Sequence, residues 1–127
     1  MEVCGTHTHA IRRHGIRQLL PANLRLVSGP GCPVCVTAEE DIALALALAM
    51  MPNVTLFCFG DMMRVPSGDE SLLSLRSGGA DVRIAISPMD ALDFAVAHPA
   101  REVVWYAVGF ETTTPHTAAL LEQANAL

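Results

Sequence analysis

Short apolar runs rich in β-branched and aromatic residues alternate along this chain with longer stretches of helical character. Runs at 24–28, 54–59, 82–86 and 102–108 read as strands. They are continuously apolar rather than alternating, the pattern of strands buried on both faces. Helices are expected between them at 9–20, 38–51, 71–76, 89–97 and 115–127. Thr37, with Glu40 three residues on, forms a capping box, and Pro52 blocks continuation past Met51. Thr114 before Pro115 reads as an N-cap followed by proline at the first helical position. Gly78-Gly79 and Ser87-Pro88 punctuate the chain on either side of the run at 82–86. This alternation predicts an α/β fold with a mostly parallel, doubly wound sheet and helices on both faces, formed by a single domain over 1–127.

In such sheets ligands gather beyond the carboxyl ends of the strands, where strand-to-helix loops meet. The unusual residues fall in those loops. They are Gly29-Pro30-Gly31-Cys32-Pro33-Val34-Cys35, then Gly60-Asp61-Met62-Met63-Arg64-Val65-Pro66, then Gly109-Phe110-Glu111-Thr112-Thr113-Thr114. Residues 1–3 read as the tail of one more strand, which puts Cys4 on the same rim. The chain is therefore expected to be an incomplete part of a longer one.

Composition narrows the classes. A chain of 127 residues that is 51% hydrophobic and 17% charged describes a globular core rather than a disordered segment. A net charge of −5, with scattered arginines, offers no footprint for nucleic acid. The longest apolar run, 42–51, falls well short of the ~20 residues that span a bilayer, so no membrane association is expected. No basic, apolar leader opens the sequence, and the cytoplasm is the expected compartment. Four cysteines in such a chain read as reduced thiols with metal or redox duties.

Cys32 and Cys35 are spaced for a reversible disulfide or for two ligands on one metal. They fill no periodic core position. The capping box at Thr37 places Cys35 just ahead of a helix N-terminus, whose partial positive charge favours a thiolate. Cys4 lies in Cys4-Gly5-Thr6-His7-Thr8-His9, where one thiolate and two imidazoles suit a transition metal. His7 and His9 read equally well as polar surface residues. Cys58, between Phe57 and Phe59, reads as core. Asp61 and Arg64 can bind a polar ligand or bridge each other, and Glu111 with Thr112–Thr114 can hold a ligand or simply start a helix. The methionines read as gap-filling core.

Five blocks resemble the HypD family of hydrogenase-maturation scaffolds. They are Met1-Glu2-Val3-Cys4-Gly5-Thr6-His7-Thr8-His9, Gly29-Pro30-Gly31-Cys32-Pro33-Val34-Cys35-Val36-Thr37, Phe59-Gly60-Asp61-Met62-Met63-Arg64-Val65-Pro66, Gly79-Ala80-Asp81-Val82-Arg83-Ile84 and Val108-Gly109-Phe110-Glu111-Thr112-Thr113. The resemblance implies a scaffold that binds iron while the Fe(CN)2CO centre of [NiFe]-hydrogenase is assembled. It implies a small HypC-type chaperone and a HypE-type cyanide donor as partners. Cys4 matches the family's iron-ligating cysteine, and Cys32 and Cys35 its redox-active pair. His7, Asp61 and Glu111 fall in its cleft-lining motifs, and Arg64 and Thr112, with their polar donors, are further candidates for holding the cofactor. The family's C-terminal cysteines, which hold a [4Fe-4S] cluster, have no counterpart here, because no cysteine follows Cys58, so that cluster is not expected in this chain. Two other readings compete: a thiol-disulfide oxidoreductase using Cys32 and Cys35, and a small zinc-binding module using Cys4, Cys32, Cys35 and His7. Cys4 separates the first of these from the scaffold, since an oxidoreductase has no need of it.

Overall fold

The run of five apolar and β-branched residues at Val54–Cys58 is buried at every position and becomes the central strand, β1, in a computed structural model that describes residues 1–29 and 31–127. The chain divides into two compact units, Met1–Val36 and Thr37–Leu127.

The second unit carries the sheet. Helix α3 (Glu39–Ala49) leads into β1, and β2 (Pro66–Ser67) and β3 (Glu70–Ser71) form a minimal hairpin. Helix α4 (Leu72–Ser77), β4 (Val82–Ile84), α5 (Met89–Ala97), β5 (Glu102–Tyr106) and α6 (Thr114–Ala124) complete it. The large sheet has the order β4-β1-β5, parallel throughout, with Leu56 opposite Val82 and Val104, and Phe57 opposite Arg83 and Trp105. This is the expected α/β arrangement of helices around a parallel sheet.

Alternation along the strands divides the core between two faces. Phe57 packs with Ala85, Ala91 and Leu120, and with Phe94, Val103 and Trp105 beside them, so this face meets α5 and α6. Leu56, Val104 and Tyr106 line a hollow with Leu44, Ala45 and Leu48 of α3 on the other. Phe57 and Phe94 meet at 5.5 Å, and the Trp105 indole donates to the Thr117 hydroxyl at 3.3 Å.

A polar clamp fixes the amino ends of all three strands. Thr55 of β1, fully buried, donates its hydroxyl to Asp81 Oδ2 at 2.8 Å. Arg101, just before β5, donates from Nη2 to the Val54 carbonyl at 2.9 Å, to Thr55 Oγ1 at 2.9 Å and to Asp81 Oδ2 at 3.0 Å. Arg83 of β4 adds a two-point contact to Asp81 at 2.8 and 3.2 Å. A buried hydroxyl needs such partners, and one carboxylate here supplies them to three strands.

The first unit is built on a helix, α1 (Gly5–Arg13), followed by a 3-10 turn at Ile16–Leu19 and a short helix, α2 (Pro33–Val36). Residues 1–3 and 24–28, both expected to be strand, meet in a single parallel bridge between Glu2 and Ser28. Glu2 donates to the Val27 carbonyl at 2.9 Å and accepts from the Gly29 amide at 2.7 Å.

Several boundaries differ from expectation for local reasons. The helix expected at 9–20 begins at Gly5 and ends at Arg13, because Gly15 takes up φ +62°, the left-handed conformation that terminates helices. Helix α3 starts at Glu39 with Ala38 as its N-cap, one residue beyond the Thr37 cap, and Glu39, Glu40 and Asp41 place negative charge in its first turn. Helix α6 likewise starts at Thr114 with Thr113 as its N-cap. A capping box forms at α4, where Ser71 Oγ accepts from the Ser74 amide at 3.2 Å and Ser74 Oγ from the Ser71 amide at 2.9 Å. Pro30 of the first cysteine loop lies outside the described residues. Among the described residues, no helix is long and apolar enough to cross a membrane.

The clamp yields a stability prediction. Thr55→Val keeps the shape but leaves Asp81 and Arg101 short of a partner, and should cost about 1–3 kcal/mol in urea unfolding. Asp81 is held below its ordinary 3.8, first by the Arg83 hydrogen bond and also by the Thr55 hydroxyl and Arg101. Its stabilisation is therefore complete above that value and is lost as pH falls through the lower folded value. The stability gap between wild type and Asp81→Asn should be constant near neutrality and shrink below about pH 4.

Candidate metal and thiol site

Helix α1 opens directly after Cys4, which sits at its N-cap in extended conformation (φ −99°, ψ 122°) and accepts the Thr8 amide on its carbonyl at 2.9 Å. The amides of the first turn have no carbonyl within the helix to bond. Cys35 of α2 is seated against that turn. A Cβ built on Gly5 would stand 2.9 Å from Cys35 Cβ and 3.4 Å from its sulfur, so only glycine at position 5 admits this approach.

A tight turn joins the pair. Cys35 and Val36 donate their amides to the Cys32 carbonyl at 2.9 and 3.1 Å. Gly31 stands at φ +93°, and any side chain there would run into that of Val36. The outcome is that the Cys32 thiol donates to Cys35 Sγ at 3.2 Å, with the Thr6 hydroxyl 3.9 Å from the same sulfur. The sulfurs of Cys4, Cys32 and Cys35 all lie within 4.8 Å of one another. All three cysteines are free, Cys35 exposed and the others half-buried.

The surroundings split the pair's acidity. The Cys32 thiol's hydrogen bond, then the Thr6 amide and hydroxyl and the Gly5 amide, lower the Cys35 pKa to about 7, so roughly half of it is thiolate at neutral pH. Cys32, donating that hydrogen bond, is shifted upward. On sequence alone, the start of α3 is the expected source of Cys35's acidity. The amides that act are those at the start of α1, because Cys35 lies within its own short helix and folds back onto Gly5 and Thr6.

Glu2, which sequence reasoning passed over, orients the cap. Its carboxylate accepts the Cys4 amide at 2.8 Å, and that bond chiefly holds the carboxyl below its ordinary 4.5. His7 Nδ1 approaches the same carboxylate at 3.5 Å, with its ring mostly exposed. His7 thus pairs with Glu2 rather than joining the sulfur cluster.

The remaining candidates belong to the second unit. Asp61 and Arg64 lie in a 3-10 turn, Gly60–Arg64, after β1, and Glu111 and Thr112 in another, Glu111–Thr113, after β5. All four are exposed. Because β1 and β5 are neighbours, both turns leave the same carboxyl edge, and a Cβ on Gly109 would meet the Phe59 ring at 3.0 Å. The expected Asp61–Arg64 bridge does not form among the described residues. Cys58 is core, fully buried, with its thiol donated to Met63 Sδ at 3.5 Å and its pKa pushed up to about 11 by burial first and by Asp61 second.

Three sulfur donors in one small volume suit a soft or borderline transition metal, with a coordination position left for an outside ligand. Alkylation with iodoacetamide near neutral pH should modify Cys35 first, Cys32 later and Cys58 only on unfolding, as read by peptide mass mapping. Gly5→Ala should slow Cys35 labelling by about threefold or more by forcing it off the α1 amides. Unchanged labelling in that variant would remove α1 as the cause.

Comparison with known proteins agrees across the whole chain. The HypD family model, described as "Hydrogenase formation hypA family", matches residues 1–127. The hydrogenase maturation factor HypD of Rhizobium leguminosarum bv. viciae is 57% identical over 127 residues, covering 99% of this chain and 33% of the relative. That of Azotobacter vinelandii is 56% identical over 128 residues, covering 100% and 34%, and that of Escherichia coli (strain K12) 53% identical over 126 residues, covering 99% and 34%. The chain thus spans about a third of the length of these curated relatives. With its full length matched, the chain belongs to the HypD family of hydrogenase maturation proteins.

Proposed function

We propose that this chain is the thiol-bearing part of a cytoplasmic hydrogenase maturation scaffold, binding iron as cargo while the Fe(CN)2CO centre of [NiFe]-hydrogenase is assembled. The observation that carries the reading is the convergence of the Cys4, Cys32 and Cys35 sulfurs within 4.8 Å. Thiolates are strong donors to iron, and the extended N-cap geometry holds Cys4 at the mouth of the α1 amides. Cys4 is the iron ligand, and Cys32 and Cys35 are the redox pair. His7, Asp61, Arg64, Glu111 and Thr112 contribute polar contacts to the ligands or partners. A HypC-type chaperone supplies a further donor, and a HypE-type protein delivers cyanide.

A thiol-disulfide oxidoreductase is the second reading, favoured by the 3.2 Å contact and by the acidity of Cys35. It gives Cys4 no task. A zinc module is the third, and metal analysis after anaerobic purification separates zinc from iron.

The deciding measurement is iron per protein after anaerobic desalting, with and without the HypC-type partner. Retention should be weak for the chain alone and rise with partner. Cys4→Ala should abolish it, whereas Cys58→Ala, altering a core thiol, should not. Equal retention in wild type and Cys4→Ala leaves only the thiol-redox reading standing.

A further inference from the structure

The spacing of the three sulfurs points beyond separate roles for a metal ligand and a redox pair. A thiolate-bound metal sits ~2.3 Å from each sulfur, which sets neighbouring sulfurs about 3.8 Å apart in a tetrahedral site. A disulfide brings its sulfurs to ~2.05 Å. The Cys32 and Cys35 sulfurs stand at 3.2 Å, between these two distances, and Cys4 lies within reach of both. Movements of about 1 Å therefore lead to either state from this arrangement. Both states cannot coexist, because a disulfide sulfur has neither the charge nor the basicity of a thiolate.

We propose that Cys32 and Cys35 complete one three-thiolate metal site with Cys4, and that oxidation of the pair to a disulfide releases the metal. The proposal rests on the reading of Cys4 as a metal ligand and adds a gate to it. In the dithiol state three sulfurs hold the ion and an outside ligand takes the open position. A low-molecular-weight disulfide then oxidises the two thiolates as the metal dissociates: its S–S bond breaks, the Cys32–Cys35 bond forms, and two small thiolates leave with the two electrons and take their protons from water. One thiolate, Cys4 at the start of α1, remains, and a single protein donor does not retain an ion. By reciprocity, a bound metal makes the pair harder to oxidise by the factor by which oxidation weakens metal binding.

The site itself predisposes the exchange. Cys35 is the exposed member of the three, and its sulfur is the one an incoming disulfide reaches. Cys32, half-buried with its sulfur 3.2 Å from that of Cys35, follows as the resolving partner.

Cobalt(II) serves as the probe, because its sulfur-to-metal charge-transfer absorption scales with the number of thiolates bound. The reduced chain should bind one cobalt with three-thiolate intensity, and Cys32→Ser and Cys35→Ser should each lose about a third of that intensity. Treatment with oxidised glutathione, followed by desalting and confirmation of the disulfide by mass, needs no substitution and so no assumption about folding. It should weaken cobalt binding by at least about a hundredfold, since even loss of a hydrogen bond to a ligand typically costs ~10–100-fold. A phosphine reductant should restore binding. Bound cobalt should also protect Cys4, Cys32 and Cys35 together from alkylation. If the oxidised chain binds cobalt as tightly as the reduced one, with Cys4→Ser still abolishing binding, the gate is wrong while Cys4 keeps its place as ligand. If Cys4→Ser binds as wild type does, the underlying reading fails as well.

Discussion

The first unit depends on one close approach, that of Cys35 to the opening turn of α1. Gly5 permits it, since any larger residue would put a carbon 2.9 Å from Cys35 Cβ. From that contact follow the donation of Thr6 and Gly5 to the Cys35 sulfur, the raised acidity of that thiol, and the arrival of Cys32 beside Cys4. The Cys4-Gly5-Thr6 sequence therefore supplies a thiol and, with its next two residues, the electrostatic support for a different thiol thirty positions away. The partial positive charge of a helix start is usually credited to the residues that precede it in the chain. Here it acts across a fold contact.

The second unit solves a separate problem, that of aligning three parallel strands whose connections are all long. Asp81, Thr55 and Arg101 tie the amino ends together, leaving the carboxyl ends free to give rise to the two polar turns that carry Asp61, Arg64, Glu111 and Thr112. Rigidity at one edge and chemistry at the other is the usual division of labour in open α/β sheets. Phe59 links the two turns by filling the space that Gly109 leaves, and it also meets Trp105 edge-on at 4.9 Å.

What the sequence made legible was the part governed by local pattern. β1, α5 and β5 fall where continuous apolarity and helical periodicity put them, because burial on both faces leaves those segments no other stable use. Cap positions were less legible. The Thr37–Glu40 pair matches the capping box in spelling, yet α3 starts after Ala38, while the Ser71–Ser74 box, with serine in place of the usual glutamate, forms. The 24–28 run has strand composition but finds only Glu2 as a partner, since a strand is made by its neighbours as much as by its own residues. The grouping of the three cysteines could be suspected from the loops that bear them. The roles of Glu2 as the brace of the Cys4 amide and of α1 as the support for Cys35 could not, because both depend on how the chain folds back upon itself.

The four cysteines show how far environment rather than residue type decides chemistry. Cys58 and Cys35 start from the same thiol, and burial drives the first up to about 11 while hydrogen bonds draw the second down to about 7. At neutral pH the first is a hydrophobe resting on Met63 and the second is substantially an anion at the surface. Cys32 is shifted upward beside it, donating its own proton to the Cys35 sulfur. That asymmetry gives a disulfide-forming reaction one attacking thiolate and one resolving thiol, while metal binding displaces whatever proton remains on the pair. The single shared proton between Cys32 and Cys35 keeps both outcomes open to the same two sulfurs.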